Sequence, residues 1–177
     1  ILDNGVIRVV IDALDHPHYL APTGGNILDA VRLDADGTSL DGLNVLAMIT
    51  GILPEDGVAY DDLEVLEGDG SDGQPAFVAV VARGALFGRP DTRIATRYEL
   101  RPCEPGLRVR TELVHGGRDP YTYFLADGFW WGGREATPFV PLLGQGFTHP
   151  ELSLLEIDKA FRTVPFMAAY DHVAGAS

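Results

Sequence analysis

Apolar residues fall at every second position over 93–100 and again over 107–113, and the two runs are joined by a turn carrying Pro102, Pro105 and Gly106. A period of two puts Ile94, Thr96, Tyr98 and Leu100 on one face and Arg93, Arg97 and Glu99 on the other, which is the pattern of a half-buried strand. Two such runs across a short turn read as an antiparallel hairpin, one face in the core and one in water. Arg93, Arg97, Arg101, Arg108 and Arg110 lie on or beside the wet face, where pairing across the strands with Glu99 and Glu112 is expected.

The rest of the chain repeats this texture. Val6, Ile7, Val9, Val10 and Ile11 form a short β-branched run bounded by Asn4-Gly5 and Pro17, and 76–82 forms another that ends at Gly84. The 21 glycines and 12 prolines punctuate the sequence at intervals of about 8–12 residues, as in a sandwich or barrel. Helical spacing is scarce: 40–49 suits one or two turns, and 151–161, led by Pro150, is the better candidate. The expectation is an all-β, antiparallel β-sandwich with at most one or two short helices. No internal repeat or linker interrupts 1–177, which reads as a single domain; the start at Ile1 rather than Met suggests a segment of a longer polypeptide.

Charge narrows the partners. With 26 acidic against 13 basic residues the formal charge is −13, which repels phosphate backbones and anionic lipids. Nucleic acid is therefore excluded as a partner, and no apolar run approaches the ~18 residues needed for membrane insertion. Cys103 is the only cysteine, so no internal disulfide or cysteine metal motif exists.

Four groups of residues have the makings of chemistry. His16 and His18, two apart on an extended segment beside Asp12 and Asp15, face one way as metal ligands do. Asp69, Ser71 and Asp72, with Glu67, alternate oxygen ligands with glycines and suit calcium, although the spacing is not that of an EF-hand; Asp-Gly pairs such as Asp36-Gly37 are also ordinary turn formers. The most distinctive stretch is 121–133, where Tyr123, Asp127, Trp130 and Trp131, with Arg134 just beyond, supply aromatic faces and a hydroxyl acceptor for a carbohydrate. For sugar chemistry, Asp127 with His115 or His149 offers an acid–base pair, and Glu135 and Glu151 add further carboxylates. No GxSxG, Walker or HExxH motif is present.

Two sets of residues carry a resemblance. Leu2-Asp3-Asn4-Gly5-Val6-Ile7-Arg8-Val9, followed by Gly24-Gly25-Asn26-Ile27-Leu28-Asp29-Ala30, resembles the first strands of galactose-mutarotase-like supersandwich domains. Thr96-Arg97-Tyr98-Glu99-Leu100, then 107–113, then Ala126-Asp127-Gly128-Phe129-Trp130-Trp131-Gly132, is similar to amino-terminal β-sandwich modules of large secreted bacterial proteins. Such modules often precede a separate enzymatic domain, in some cases a metal-dependent phosphoesterase of the PHP type. His16 and His18 match the HxH of that site, but its other ligand motifs are absent, as is the His and Glu pair of an active mutarotase. The resemblance implies a non-catalytic module of a secreted or cell-envelope protein that binds carbohydrate or docks a neighbouring domain. The alternatives are a sugar-active enzyme of mutarotase, epimerase or lyase type and a structural subunit of an extracellular assembly.

Overall fold

The computed structural model describes residues 1–18, 21–33, 43–51, 53–71, 73–131, 136–141, 146 and 163–171. Eleven strands lie among the described residues: β1 (Leu2–Asp3), β2 (Ile7–Ile11), β3 (Ile27–Arg32), β4 (Leu43–Ile49), β5 (Val58–Gly68), β6 (Phe77–Leu86), β7 (Arg89–Leu100), β8 (Arg108–His115), β9 (Ala126–Trp131), β10 (Ala136–Phe139) and β11 (Ala168–Asp171). Among the described residues a single 3₁₀ turn, Pro54–Asp56, precedes β5. The chain is all-β and its strand pairs are antiparallel. It divides into two compact units, Ile1–Trp130 and Trp131–Ser177.

The first unit is a sandwich. One sheet has the order β1-β2-β3-β4-β9 and the other β5-β6-β7-β8. Val9, Ile27, Leu46 and Met48 of the first sheet meet Val58, Val80, Ile94, Tyr98 and Leu100 of the second in one buried cluster. Each large apolar side chain so buried contributes about 1.5–3 kcal/mol. Asn4 links the two layers at one end. Its amide donates to the carbonyls of Arg101 (2.7 Å) and Glu104 (2.8 Å), while its oxygen accepts from the backbone of Val6 and Ile7.

The hairpin over 93–113 forms with Arg97 opposite Arg110 and Thr96 opposite Thr111. That register corrects the expected cross-strand pairing of the arginines. Arg97 faces a like charge across the ladder, so it turns along its own strand to Glu99 (2.7 Å), and Arg110 does the same to Glu112 (2.7 Å). Arg101 donates to the other oxygen of Glu99 (2.7 Å), which leaves a nearly buried carboxylate held between two guanidiniums. Burial alone would raise the Glu99 carboxyl, but the hydrogen bonds from Arg101 and Arg97 outweigh it and hold it below the usual range.

Residues 43–49 form a strand, not the helical turns expected over 40–49. Leu46 and Met48 enter the core between the sheets, whereas Val45 and Ala47 pack on the opposite face with Ala21, Leu28 and Trp130. A strand covered on both faces is apolar throughout and loses the alternation that marks a half-buried one. The helix expected over 151–161 lies outside the described residues.

In the second unit, β10 pairs with β11, Thr137 opposite Tyr170 and Phe139 opposite Ala168. Phe139 stacks on Phe166 with ring centroids 6.0 Å apart. Among the described residues no helix is long and apolar enough to cross a membrane.

Candidate functional site

The core of the sandwich is sealed at β7 and opens at β8. The inward residues of β7, Thr92, Ile94, Thr96 and Tyr98, are all buried. Their partners across the ladder, His115, Leu113, Thr111 and Val109, are only half-buried, because β8 is the last strand of its sheet. Polar groups line this margin where the alternating pattern calls for apolar ones. Tyr60 Oη lies 2.7 Å from Thr96 Oγ1, and Thr96 Oγ1 lies 3.2 Å from Thr111 Oγ1, giving a row of hydroxyls from β5 to β8.

Tyr60 is fixed from behind. Its backbone N–H donates to Thr23 Oγ1 (2.7 Å), and its ring lies against Gly25, where φ is +87° and an added Cβ would fall 2.9 Å from Tyr60 Cδ2. Only glycine meets both demands at that position. Burial pushes the Tyr60 phenol up to about 12, against the opposing effect of its bond to Thr96.

Tyr98 lies beside it at 0% exposure, and its hydroxyl has no hydrogen-bond partner among the described residues. The Tyr60 hydroxyl is close enough to act on it electrostatically but is not at hydrogen-bond geometry. Among the described residues, the charged group acting on both phenols is Asp127 of β9, the last strand of the facing sheet. Asp127 is accessible to solvent at its surface, yet the surrounding protein strips enough water from its carboxyl to raise it above the usual carboxylate range. Among the described residues no cation or hydrogen bond compensates it.

Tyr123 has a different setting. It sits in the segment that runs from β8 to β9, and its hydroxyl lies 2.6 Å from His115 Nδ1 and 2.8 Å from Thr92 Oγ1. His115 Nε2 is 2.9 Å from the carbonyl of Asp119, which can only accept, so Nε2 carries the ring proton. In the neutral ring Nδ1 is then the acceptor, Tyr123 donates to it, and Thr92 donates to Tyr123. Arg89 lies 3.6 Å above the Tyr121 ring, Tyr121 packs edge-on to Tyr123, and the Phe124 N–H bonds to the Thr50 carbonyl (3.3 Å). Together these contacts pin the crossing segment to both sheets.

The pleat of β9 divides the other aromatic candidates. Trp130 packs with Leu28 and the cluster of Ala21, Val45 and Ala47 on the outer face of the five-stranded sheet. It lies flat along its own strand, since a Cβ on Gly128 would fall 2.5 Å from Trp130 Cη2. Asp127 and Phe129 are of the opposite parity and project to the inner side, where Phe129 remains 53% exposed. Trp131 ends the strand; Arg134 lies outside the described residues, as does His149.

The calcium candidates divide likewise. Hydrogen bonds from the Ser71 hydroxyl and then from its backbone N–H (2.8 Å) lower the Asp69 carboxyl and close the turn after β5; Asp72 lies outside the described residues. Glu67, Asp69 and Ser71 border a recess of about 740 Å³ floored by Phe77, Val78 and Leu100. His16 and His18 both converge on the nearly buried carboxylate of Asp12, which binds each imidazole with a different oxygen. Among the described residues no group of three or more His, Cys, Asp and Glu side chains is arranged to hold a metal ion.

Tyr60, Thr96, Tyr98 and Thr111 were not among the sequence candidates. Their signal was present in the hairpin, where threonine and tyrosine occupy positions 96, 98 and 111 of otherwise apolar faces. Comparison with protein-family models, curated proteins and solved structures returns no match for this chain.

Proposed function

We propose that the chain is a non-catalytic β-sandwich module of a secreted or cell-envelope protein that binds carbohydrate at the open margin between β8 and β9. The observation that carries this reading is the Asp127 carboxylate of β9, open to solvent yet raised by burial and without a hydrogen bond among the described residues. A carboxylate of this kind accepts hydroxyl groups, and Phe129, 53% exposed, lies on the same side of the strand. The resemblance of the opening and central stretches to galactose-mutarotase-like domains is in keeping with the same ligand class.

Binding is favoured over chemistry because both ring nitrogens of His115 are already engaged, by Tyr123 and by the Asp119 carbonyl. Proton transfer with Asp127 would require breaking that arrangement. A second reading, docking of a neighbouring domain, is favoured by Leu125, an apolar side chain 56% exposed just ahead of β9.

A glycan array tests the primary reading. Wild type is expected to retain a defined set of glycans, Trp130→Phe to retain the same set, and Phe129→Ala to weaken binding about three- to tenfold. An array on which no glycan is retained by folded wild type removes the carbohydrate reading and leaves the docking one.

A further inference from the structure

We infer that the chain forms a two-fold dimer by antiparallel pairing of β8 with β8 of a second copy, centred on Thr111. The inference goes beyond the carbohydrate reading and does not rest on it.

A sheet edge presents unpaired backbone N–H and C=O groups, and folded proteins blunt such edges. The first unit does so at three of them. β1 is two residues long, and β9 is weakened by Gly128. β5 carries a bulge between Tyr60 and Asp62 and an excess of acids in Asp61, Asp62, Glu64 and Glu67. β8 differs: it pairs with β7 from His115 to Arg108 without a shift of register and holds neither glycine nor proline. Among the described residues no strand pairs with its other side, and its inward side chains Val109, Thr111 and Leu113 are left half-buried.

β8 is charged as well, but in an order that a second copy complements. Reversing the strand about Thr111 sets Arg110 opposite Glu112 of the second copy, and Glu112 opposite its Arg110. Val109 then meets Leu113. Arg108 meets Val114, which is 64% exposed in the single chain and would be covered by the arginine's aliphatic stem. Centring on Arg110 or on Glu112 instead would set like charges face to face.

The chain's own ladder is an independent observation. Across it Arg110 faces Arg97, a like charge, and its acid Glu112 lies on the same strand. A second copy supplies the opposite-charge neighbour that β7 withholds. Two chains of formal charge −13 repel one another at long range, and that repulsion is weakest here, where 93–112 carries five arginines against three glutamates.

Sedimentation velocity on the whole chain, from about 5 to 500 µM at about 0.15 M salt, tests the inference. Wild type is expected to dimerise with a Kd on the order of 10–100 µM, as suits a small interface. Arg110→Glu and Glu112→Arg each set like charges opposite one another twice across the two-fold and should weaken the dimer at least about tenfold. The double variant restores the pairing and should return the Kd to within about threefold of wild type. Both side chains are well exposed, at 76% and 61%, and circular dichroism checks that the variants fold. Wild type that stays monomeric throughout, a dimer indifferent to the single substitutions, or a double variant as weak as the singles overturns the inference. No glycan enters the experiment, so each of these results leaves the carbohydrate reading in place.

Discussion

Burial foremost, then Tyr60 and the Asp127 carboxylate, hold the Tyr98 phenol well above its usual range, and the Tyr98 hydroxyl has no partner at hydrogen-bond geometry among the described residues. Tyr98 and Asp127 are each a local cost to the fold, and the energetic signs can be measured.

Asp127→Asn is expected to stabilise the protein at about pH 7. Burial raises the folded carboxyl above its unfolded value, so the folded state binds the proton more tightly. The ionised form therefore destabilises the fold above the raised value, and the penalty shrinks as pH falls below it and is gone below the unfolded value. Thermal melts should show the variant melting higher near neutrality, with the difference shrinking towards acid. A variant less stable at neutral pH would indicate a missed donor to Asp127.

The two buried tyrosines should respond differently to loss of the hydroxyl. Tyr60→Phe breaks the bond to Thr96 and leaves a buried partner under-satisfied, at a cost of about 1–2 kcal/mol. Tyr98→Phe removes a hydroxyl that had no partner and should be neutral or stabilising by up to about 1 kcal/mol. Denaturant titrations of the two variants decide it, and a Tyr98→Phe loss as large as that of Tyr60→Phe would contradict the assignment.

Glu99→Gln should cost about 1–3 kcal/mol, because the carboxylate takes charged hydrogen bonds from Arg97 and Arg101. Here the sign is opposite to that of Asp127. Glu99 is held below its unfolded value, so its contribution is present above that value and is lost as pH falls through the folded one. The difference between wild type and variant should therefore be largest near neutrality and close in acid.

The hairpin of β7 and β8 was legible in the sequence because one face is buried and the other wet, so the period of two survives. β4 was not, since both its faces are covered, and β5 was masked by Asp61, Asp62, Glu64 and Glu67, the charges of an edge strand. Asp127 was legible as a polar group among aromatics. Its separation from Trp130 follows from strand parity, and its electrostatic action on Tyr60 and Tyr98 from the packing of distant strands, which local spacing does not encode.

His115 is expected as the Nε2–H tautomer, accepting from Tyr123 at Nδ1. Nitrogen-15 shifts of the ring in selectively labelled protein report this directly. Tyr123→Phe should release that preference and cost about 1 kcal/mol, since Thr92 and His115 both lose a partner. A ring protonated at Nδ1 in wild type would contradict the donor order.

The central claim, a carbohydrate site at the β8–β9 margin, is tested most directly by mapping amide shifts while an oligosaccharide retained on the array is titrated in. The account predicts that perturbations concentrate at Thr111 and from Leu125 to Phe129. Perturbations gathered instead around Glu67, Asp69 and Phe77 at the 740 Å³ recess, or on the outer face at Leu28 and Trp130, would contradict it.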